Sequence, residues 1–168
     1  MTLITHSLPD LPAIDALAAH LAPLLRRGDT LALQGALGAG KTTFARALLR
    51  ALDVGEDIPS PTFTLVQTYD TPDFPVYHFD LYRLENETDL IELGWDDALA
   101  DGMVIVEWPE RAARQMPDNR LELRFGFEEK GERYVKIAMH GDWTKRMKNS
   151  SLLEGKERFE QHPSEIKS

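Results

Sequence analysis

The sequence predicts an α/β fold in which helices flank a central, mainly parallel sheet and an antiparallel hairpin lies near the C-terminus. Three observations support it: a short apolar segment that leads through a glycine-rich turn into a helix, a continuously apolar run later in the chain, and two alternating segments after that run. The chain has 168 residues, 42% of them hydrophobic, and no cysteine. This length suits one domain that needs neither disulfides nor a cysteine-bound zinc ion.

The first third of the chain contains four predicted elements. Asp10 and Pro12 suit the N-cap and first turn of a helix whose apolar side chains recur at helical spacing, and Gly28 is expected to end that helix. A short strand, a glycine-rich turn and a second helix follow, which is the beginning of a βαβ unit. In order, the elements are an edge strand at residues 3–5, a helix at 14–25, a buried strand at 30–34 and a helix at 41–52.

The middle of the chain predicts strands separated by breaks and short helices. Pro59-Ser60-Pro61 interrupts the chain, because proline fixes φ and lacks a hydrogen-bond donor. The run at 103–106 is continuously apolar, as expected of a strand buried on both faces of a parallel sheet. In order, the elements are a β-rich segment at 62–69, a strand at 76–80, two short helices within 86–100 and the strand at 103–106.

The residues after Pro117 have a different pattern. Residues 120–125 and 133–138 alternate polar and apolar side chains around Glu129-Lys130-Gly131, which predicts an antiparallel hairpin. From Lys145 onward the chain is polar. We therefore predict a single domain over residues 1–143 and a polar C-terminal tail, helical or disordered, over residues 144–168.

Charge is distributed unevenly along the chain. The 28 acidic and 19 basic side chains give a formal net charge of −9, and residues 53–110 contain fifteen of the acids with Arg83 as their one base. Such acidity repels phosphodiester backbones, so the sequence disfavours direct binding of DNA or RNA through this segment. The segment is either an ordinary solvated surface, or a docking face for a basic partner, or part of a metal-binding centre.

A glycine-rich loop joins the strand at 30–34 to the helix at 41–52. Its sequence, GALGAGKT over residues 35–42, matches the phosphate-binding motif G-x-x-x-x-G-K-[ST] at every fixed position. Lys41 would contact the β- and γ-phosphates, and the Thr42 hydroxyl would complete the coordination of Mg²⁺. The loop thus predicts a P-loop NTPase-like fold, with candidate nucleotide-binding residues Gly35, Gly38, Ala39, Gly40, Lys41, Thr42 and Thr43.

Two strand ends offer the carboxylate that such a site needs. The strand at 76–80 ends in Asp80, and the apolar run at 103–106 is followed by Glu107. Both would project at the C-terminal edge of the sheet, where α/β proteins bind ligands. We assign both to the metal site with their roles open: Asp80 holds magnesium or its water shell, and Glu107 holds magnesium or polarises the attacking water. With Lys41, they are the candidate catalytic residues.

Other features bear on the nucleotide, the compartment and neighbouring residues. The sequence has no N-K-x-D segment of the kind that reads guanine, which favours adenine. It shows neither a signal peptide nor a run of about 18 apolar residues, so we expect a cytoplasmic protein without a membrane partner.

Residues 60–64 form either a loop that senses the γ-phosphate or a rigid proline turn. His78 lacks the second histidine that would suggest a metal ligand, and Trp108 is expected to pack in the core or as a lid.

Four motifs occur in a characteristic order and spacing: GALGAGKTT at 35–43, SPTFTLV at 60–66, HFDLYR at 78–83 and VEW at 106–108. Together they resemble the TsaE family, formerly YjeE, and the resemblance covers most of residues 1 to about 140. Members of this family are small bacterial ATPases required for threonylcarbamoyladenosine synthesis next to the tRNA anticodon. They act with the TsaB–TsaD pair, which transfers the threonylcarbamoyl group.

The resemblance implies roles for particular residues. Lys41 and Thr42 would bind phosphate and magnesium, while Asp80 and Glu107 would serve the metal and hydrolysis. Arg133, in the late hairpin, would contact the nucleotide. The implied cofactors are ATP and Mg²⁺, the implied partners are TsaB and TsaD, and tRNA would be reached indirectly through that complex.

Two other functions remain open. A small-molecule kinase would need an acceptor pocket and an arginine-rich lid, for which the chain between Lys41 and Glu107 supplies Arg46, Arg50 and Arg83. A nucleotide-dependent scaffold would hydrolyse ATP only incidentally. In the preferred mechanism, binding of ATP and magnesium orders the segments at 60–66 and 80–83, the ordered form docks on the transferase pair, and hydrolysis resets it.

Overall fold

One sheet with helices on both faces organises the part of the chain that the computed structural model describes, residues 2–55, 65–150 and 152. Its strands are β1 (Thr2–Ser7), β2 (Thr30–Gln34), β3 (Val66–Asp70), β4 (Pro75–Asp80), β5 (Met103–Glu107), β6 (Leu121–Phe127) and β7 (Arg133–Met139). The α-helices are α1 (Leu11–Leu21), α2 (Lys41–Ala51), α3 (Asp89–Glu92), α4 (Trp95–Asp101) and α5 (Trp143–Lys148). Among these described helices, none combines the length and the apolar composition needed to cross a lipid bilayer.

The strand order is β1-β7-β6-β2-β5-β4-β3. The four central strands β6, β2, β5 and β4 are parallel, while β1 with β7, β6 with β7 and β3 with β4 pair antiparallel. The α/β class and the late hairpin are confirmed, but the mainly parallel sheet is corrected to a mixed one. Beyond the predicted hairpin, the antiparallel pairs are β3 with β4 and β1 with β7. The connection between β3 and β4, at 71–74, is too short for the crossover that parallel neighbours need.

The apolar side chains of the central strands alternate between two helical layers, because successive strand residues point to opposite faces. Leu31 and Leu33 of β2 pack in the cluster formed with α1, α2 and α5. Ala32 of β2 packs with Val104 and Val106 of β5 in the cluster formed with α3 and α4. All of β5 is buried, as predicted for a strand covered on both faces.

Helix α1 begins as predicted but ends earlier. The Asp10 carboxylate accepts a hydrogen bond from the Ala13 N–H at 3.0 Å, which is an N-cap. The helix ends at Leu21 and continues as a short 3₁₀ turn that contains Pro23, because a proline ring clashes with the preceding helical turn. The prediction that Gly28 ends the helix is therefore wrong, and Gly28 belongs to the turn that enters β2.

The beginning of the predicted tail is a helix that packs on the domain. Trp143 and Met147 of α5 are fully buried. The Arg146 guanidinium lies 3.8 Å from the centre of the Trp143 ring and donates to both carboxylate oxygens of Asp29, at 2.7 and 2.8 Å. Residues 151 and 153–168, with the predicted break at 59–61 and the segment 60–64, lie outside the described residues. The domain boundary after residue 143 stays a prediction.

Glu122 of β6 forms a buried charged cluster with arginines on its own strand and just before it. Its carboxylate accepts hydrogen bonds from Arg120 Nε at 2.9 Å and from Arg124 Nη2 at 2.8 Å. Burial alone would raise the pKa of Glu122, but these hydrogen bonds and the nearby His140 hold it below the ordinary value of 4.5. Glu122 is therefore charged and paired at neutral pH.

We expect Glu122→Gln to lower the melting temperature at neutral pH and to lose this effect in acid. Because the folded-state pKa is depressed, the carboxylate contributes stability above its unfolded-state pKa, and this contribution disappears as the pH falls through the folded-state pKa. Thermal unfolding measured from about pH 7 down to about pH 3 tests it. Glu129→Gln, an exposed position in the hairpin turn, is the control. A difference that is independent of pH would contradict the assignment.

Candidate functional site

The glycine-rich loop turns tightly between the end of β2 and the start of α2. Its glycines have positive φ angles of 146° at Gly35, 79° at Gly38 and 115° at Gly40, which side chains with a Cβ rarely adopt. Gly40 is the N-cap of α2, and Ala39 is buried against the core. The loop therefore presents the unpaired N–H groups of a helix N-terminus at the carboxyl end of a central strand.

Gly35 is a loop position where backbone packing excludes a side chain. A Cβ there would lie 2.7 Å from the carbonyl oxygen of Phe125, whereas a Cβ at Gly38 would meet nothing within 4 Å. We expect Gly35→Ala to lose more stability than Gly38→Ala, whose cost of about 1–2 kcal/mol comes from the positive φ alone. Chemical denaturation of both variants measures the difference. Equal losses would show that the loop can shift away from Phe125.

Lys41, the first residue of α2, folds back over the loop. Its Nζ donates a hydrogen bond to the Gly35 carbonyl at 2.5 Å and lies 3.4 Å from the centre of the Trp108 ring. The residue is 5% exposed. Burial lowers the pKa of Lys41, and the attraction of Glu107 and other nearby carboxylates offsets this only in part. The ammonium group is thus directed at the loop and largely withdrawn from solvent, where it interacts strongly with an anion.

The Glu107 carboxylate, at the end of β5, is bound at both oxygens. The Thr42 hydroxyl donates to Oε1 at 2.8 Å, and Nε2 of His78 lies 2.7 Å from Oε2. Glu107 and His78 are each 1% exposed. Burial alone would raise the pKa of Glu107, but its hydrogen bonds with His78 and Thr42, together with the charge of Lys41, hold it below the ordinary value. The carboxylate is therefore charged and fixed in one orientation.

Asp80 lies beside Glu107 at the same edge of the sheet, since the two residues are register partners at the ends of β4 and β5. The Tyr82 N–H donates to Asp80 Oδ1 at 3.1 Å. Burial raises the pKa of Asp80, and the neighbouring charge of Glu107 adds to this rise, while the hydrogen bond from Tyr82 opposes it. A cation at this edge would relieve the repulsion between the two carboxylates.

Trp108 follows Glu107 in a left-handed backbone conformation, with φ 60° and ψ 50°, which is unusual for a bulky side chain. Its N–H donates to the Leu33 carbonyl at 3.3 Å. Its ring packs against Tyr82, with 4.9 Å between ring centres, and covers the ammonium group of Lys41. The turn after β5 therefore places an aromatic ring over the lysine of the loop.

One cavity of about 360 Å³ brings most of the candidate residues together. Gly35 and Ala39 shape the loop but do not line this cavity. Sequence reasoning missed the contact of His78 with Glu107. The position of His78 two residues before Asp80 places it on the same strand face, but does not identify Glu107 as its partner. The candidate residues that line the cavity are Gly38, Gly40, Lys41, Thr42, Thr43, Asp80, Glu107 and Arg133, with Leu37, Tyr82, Arg83 and Trp108 beside them.

The fold and site define an α/β protein whose mixed sheet, seven-stranded in the described part of the chain, carries a glycine-rich loop opposite two carboxylates. A family model described as "Threonylcarbamoyl adenosine biosynthesis protein TsaE" matches residues 8–135. The chain therefore belongs to the TsaE family, and the resemblance seen in its motifs is confirmed.

Individual relatives agree with the family model. The tRNA threonylcarbamoyladenosine biosynthesis protein TsaE of Rickettsia felis is 46% identical over 96 residues, which cover 56% of this chain and 56% of that protein. The protein of the same name from Bacillus subtilis is 38% identical over 109 residues, which cover 64% of this chain and 68% of that protein. The chain thus matches a little over half the length of the first relative. The crystal structure of Bacillus subtilis YdiB is similar with a TM-score of 0.73 at 28% identity, covering 88% of this chain and 94% of YdiB.

Proposed function

We propose that this protein binds ATP with Mg²⁺ and hydrolyses it to ADP and phosphate in support of threonylcarbamoyladenosine formation on tRNA. The observation that carries the proposal is the meeting of Lys41, Asp80 and Glu107 in one cavity at the N-terminus of α2. These residues come from three separate segments of the chain, and they combine a phosphate-binding cation with paired carboxylates. Membership of the TsaE family supports the pathway.

The glycine-rich loop suits the phosphate groups of a nucleotide. The N–H groups at the start of α2 and the positive end of its dipole favour anions. Lys41 would exchange the neutral Gly35 carbonyl for charged phosphate oxygens, which form stronger hydrogen bonds with an ammonium group. Arg133, which lines the same cavity, would supply a second cation to the nucleotide. Adenine is favoured because the sequence lacks an N-K-x-D segment.

The oxygen groups at the sheet edge suit magnesium. The Thr42 hydroxyl gives its hydrogen to Glu107, which leaves the lone pairs of the hydroxyl oxygen available to a cation. Asp80 and Glu107 supply carboxylates, and Mg²⁺ is commonly held by one or two carboxylates together with substrate phosphates. Within the described residues no three His, Asp or Glu side chains form a metal-binding group. We propose that Thr42 and Asp80, with Glu107, hold the ion directly or through water, where it would neutralise charge on the phosphates.

Glu107 is proposed to have a second role beside its hydrogen bond with Thr42, which is to orient the attacking water. Each carboxylate oxygen has two acceptor positions, so Glu107 can accept from a water while it retains its bonds with Thr42 and His78. Its burial and fixed orientation suit this role, because phosphoryl transfer depends mainly on positioning and on electrostatic stabilisation. Lys41 and the N–H groups of the loop would stabilise the charge on the transferred group.

We propose that the hydrolysis serves a TsaB–TsaD transferase pair in the cytoplasm. The names of the relatives refer to tRNA threonylcarbamoyladenosine biosynthesis, which supports the pathway in which such a transferase pair would act. The acidic segment at 53–110 disfavours direct contact with tRNA through that part of the chain. The tRNA would therefore be reached through the partner proteins.

Reconstitution tests the proposal and separates it from the alternatives. The purified protein is mixed with ATP, Mg²⁺, a TsaB–TsaD pair and tRNA, and the expected products are ADP, free phosphate and repeated rounds of tRNA modification. A phosphorylated metabolite in place of free phosphate would indicate a kinase. Undiminished modification with a non-hydrolysable ATP analogue would indicate a scaffold. Absence of ADP formation under all conditions would contradict the proposal.

A further inference from the structure

His78 is a buried side chain at the site that the proposed hydrolysis leaves without a role. It lies on β4 two residues before Asp80, so both side chains project from the same face of the strand. Its Nε2 lies 2.7 Å from Glu107 Oε2. Because a carboxylate can only accept hydrogen bonds, the bonded Nε2 carries the hydrogen. His78 is thus a donor to the residue that also binds Thr42.

The contacts form a short chain of hydrogen bonds, from His78 to Glu107 at one oxygen and from Thr42 to Glu107 at the other. The direction of the Thr42 bond decides where the lone pairs of its hydroxyl oxygen point. That direction depends on the plane of the Glu107 carboxylate, which rotates freely about its terminal torsion unless a second partner holds it. His78 is such a partner, held on a central strand of the sheet.

We propose that His78 is a positioning residue that fixes Glu107, so that Glu107 in turn orients the Thr42 hydroxyl toward a bound magnesium ion. The inference rests on the proposed magnesium site. Side chains that hydrogen-bond to metal-binding groups without contacting the metal typically contribute about 10–100-fold to metal affinity or activity. A purely structural partner of Glu107 would instead affect folding, or nucleotide binding with and without the ion equally.

The test measures ADP affinity with Mg²⁺ and with a chelator in its place, together with ATP turnover. His78→Leu removes the donor. In this variant we expect the gain in ADP affinity that Mg²⁺ provides to fall about 10–100-fold, and kcat for ATP hydrolysis to fall by a similar factor. The ADP affinity measured in chelator is expected to stay unchanged. His78→Gln retains an N–H donor at a similar reach and is expected to recover part of the loss. Val76→Ala, at a buried position on the same strand, controls for general loss of packing.

Three results would overturn the inference: wild-type Mg²⁺ dependence in His78→Leu, an equal loss of ADP affinity in chelator, or the same losses in Val76→Ala. If His78→Leu does not fold, nuclear magnetic resonance of the wild-type protein decides the question. The ring Nε2–H signal should be visible and slow to exchange, and it should shift when Mg²⁺ is added to the ADP complex. An absent or unmoved signal counts against the proposal. Lack of ATP hydrolysis by the wild-type protein would instead contradict the proposed function itself.

Discussion

Replacing Lys41 with alanine is expected to reduce ATP turnover to the background rate and to weaken ATP binding at least about 10–100-fold. The physical reason is the loss of a charge-assisted hydrogen bond to phosphate, which contributes about 1.5–3 kcal/mol. In the structure the ammonium group lies in the loop, on the Gly35 carbonyl and under the Trp108 ring. Its effect is therefore local to the cavity. Steady-state phosphate release and equilibrium ATP binding measure the two quantities.

A matched control distinguishes this effect from damage to helix α2. Arg50→Ala removes a cation from the exposed face of the same helix, where the side chain forms a solvent-exposed ion pair with Asp15 at 3.7 Å, and such pairs contribute little. We expect wild-type turnover in Arg50→Ala. Full ATPase activity in a folded Lys41→Ala protein would remove the cavity from consideration as the hydrolytic site.

Glu107→Gln is expected to retain ATP binding but to slow hydrolysis by about 10²–10⁴-fold, the range that a positioned proton acceptor supplies. Glutamine has the shape of glutamate, yet its amide lacks the charge and half of the acceptor capacity. In either orientation of the amide, its NH₂ group would also face a hydrogen-bond donor, which is the Thr42 hydroxyl in one orientation and the His78 ring N–H in the other. Single-turnover hydrolysis measured beside ATP affinity separates the chemical step from binding.

Glu110→Gln provides the comparison for Glu107→Gln. Glu110 lies three residues further along the chain, is exposed, and contributes to the negative potential around Lys41. We expect its neutralisation to leave hydrolysis near the wild-type rate. If the two variants hydrolyse ATP at the same rate, general electrostatics explains the effect and Glu107 has no specific role in the chemistry.

The main components of the candidate site could be predicted because local sequence marks each of them. The loop from Gly35 to Thr42 has a fixed pattern of residues, and Asp80 and Glu107 stand at the ends of two parallel neighbouring strands, which meet at one edge of the sheet. The bond between His78 and Glu107 could not be predicted in this way. It depends on the register of β4 against β5, which neither strand specifies by itself.

The fold was predictable at its centre and less so at its periphery. The buried strands β2 and β5 are marked by continuous apolar runs, whereas the antiparallel pairing of β3 with β4 follows from the length of a loop. Trp143 and Met147 are four residues apart and therefore lie on one face of α5, but the lysines and arginine between and beyond them make the segment look like a solvated tail. Tertiary burial of that face, rather than composition, decided its structure.

The pairing of β1 with β7 has a consequence for how the protein folds. Ser7 pairs with Tyr134 and Thr2 with Met139, so β1 can pair only after β7, much later in the chain, has been synthesised. Contacts between such distant parts of a chain form slowly, because a long loop must close first. During translation, β1 therefore remains without a paired strand until the ribosome has synthesised β7. A chain that stops short of β7 would leave both β1 and the outer edge of β6 exposed to pairing with other molecules.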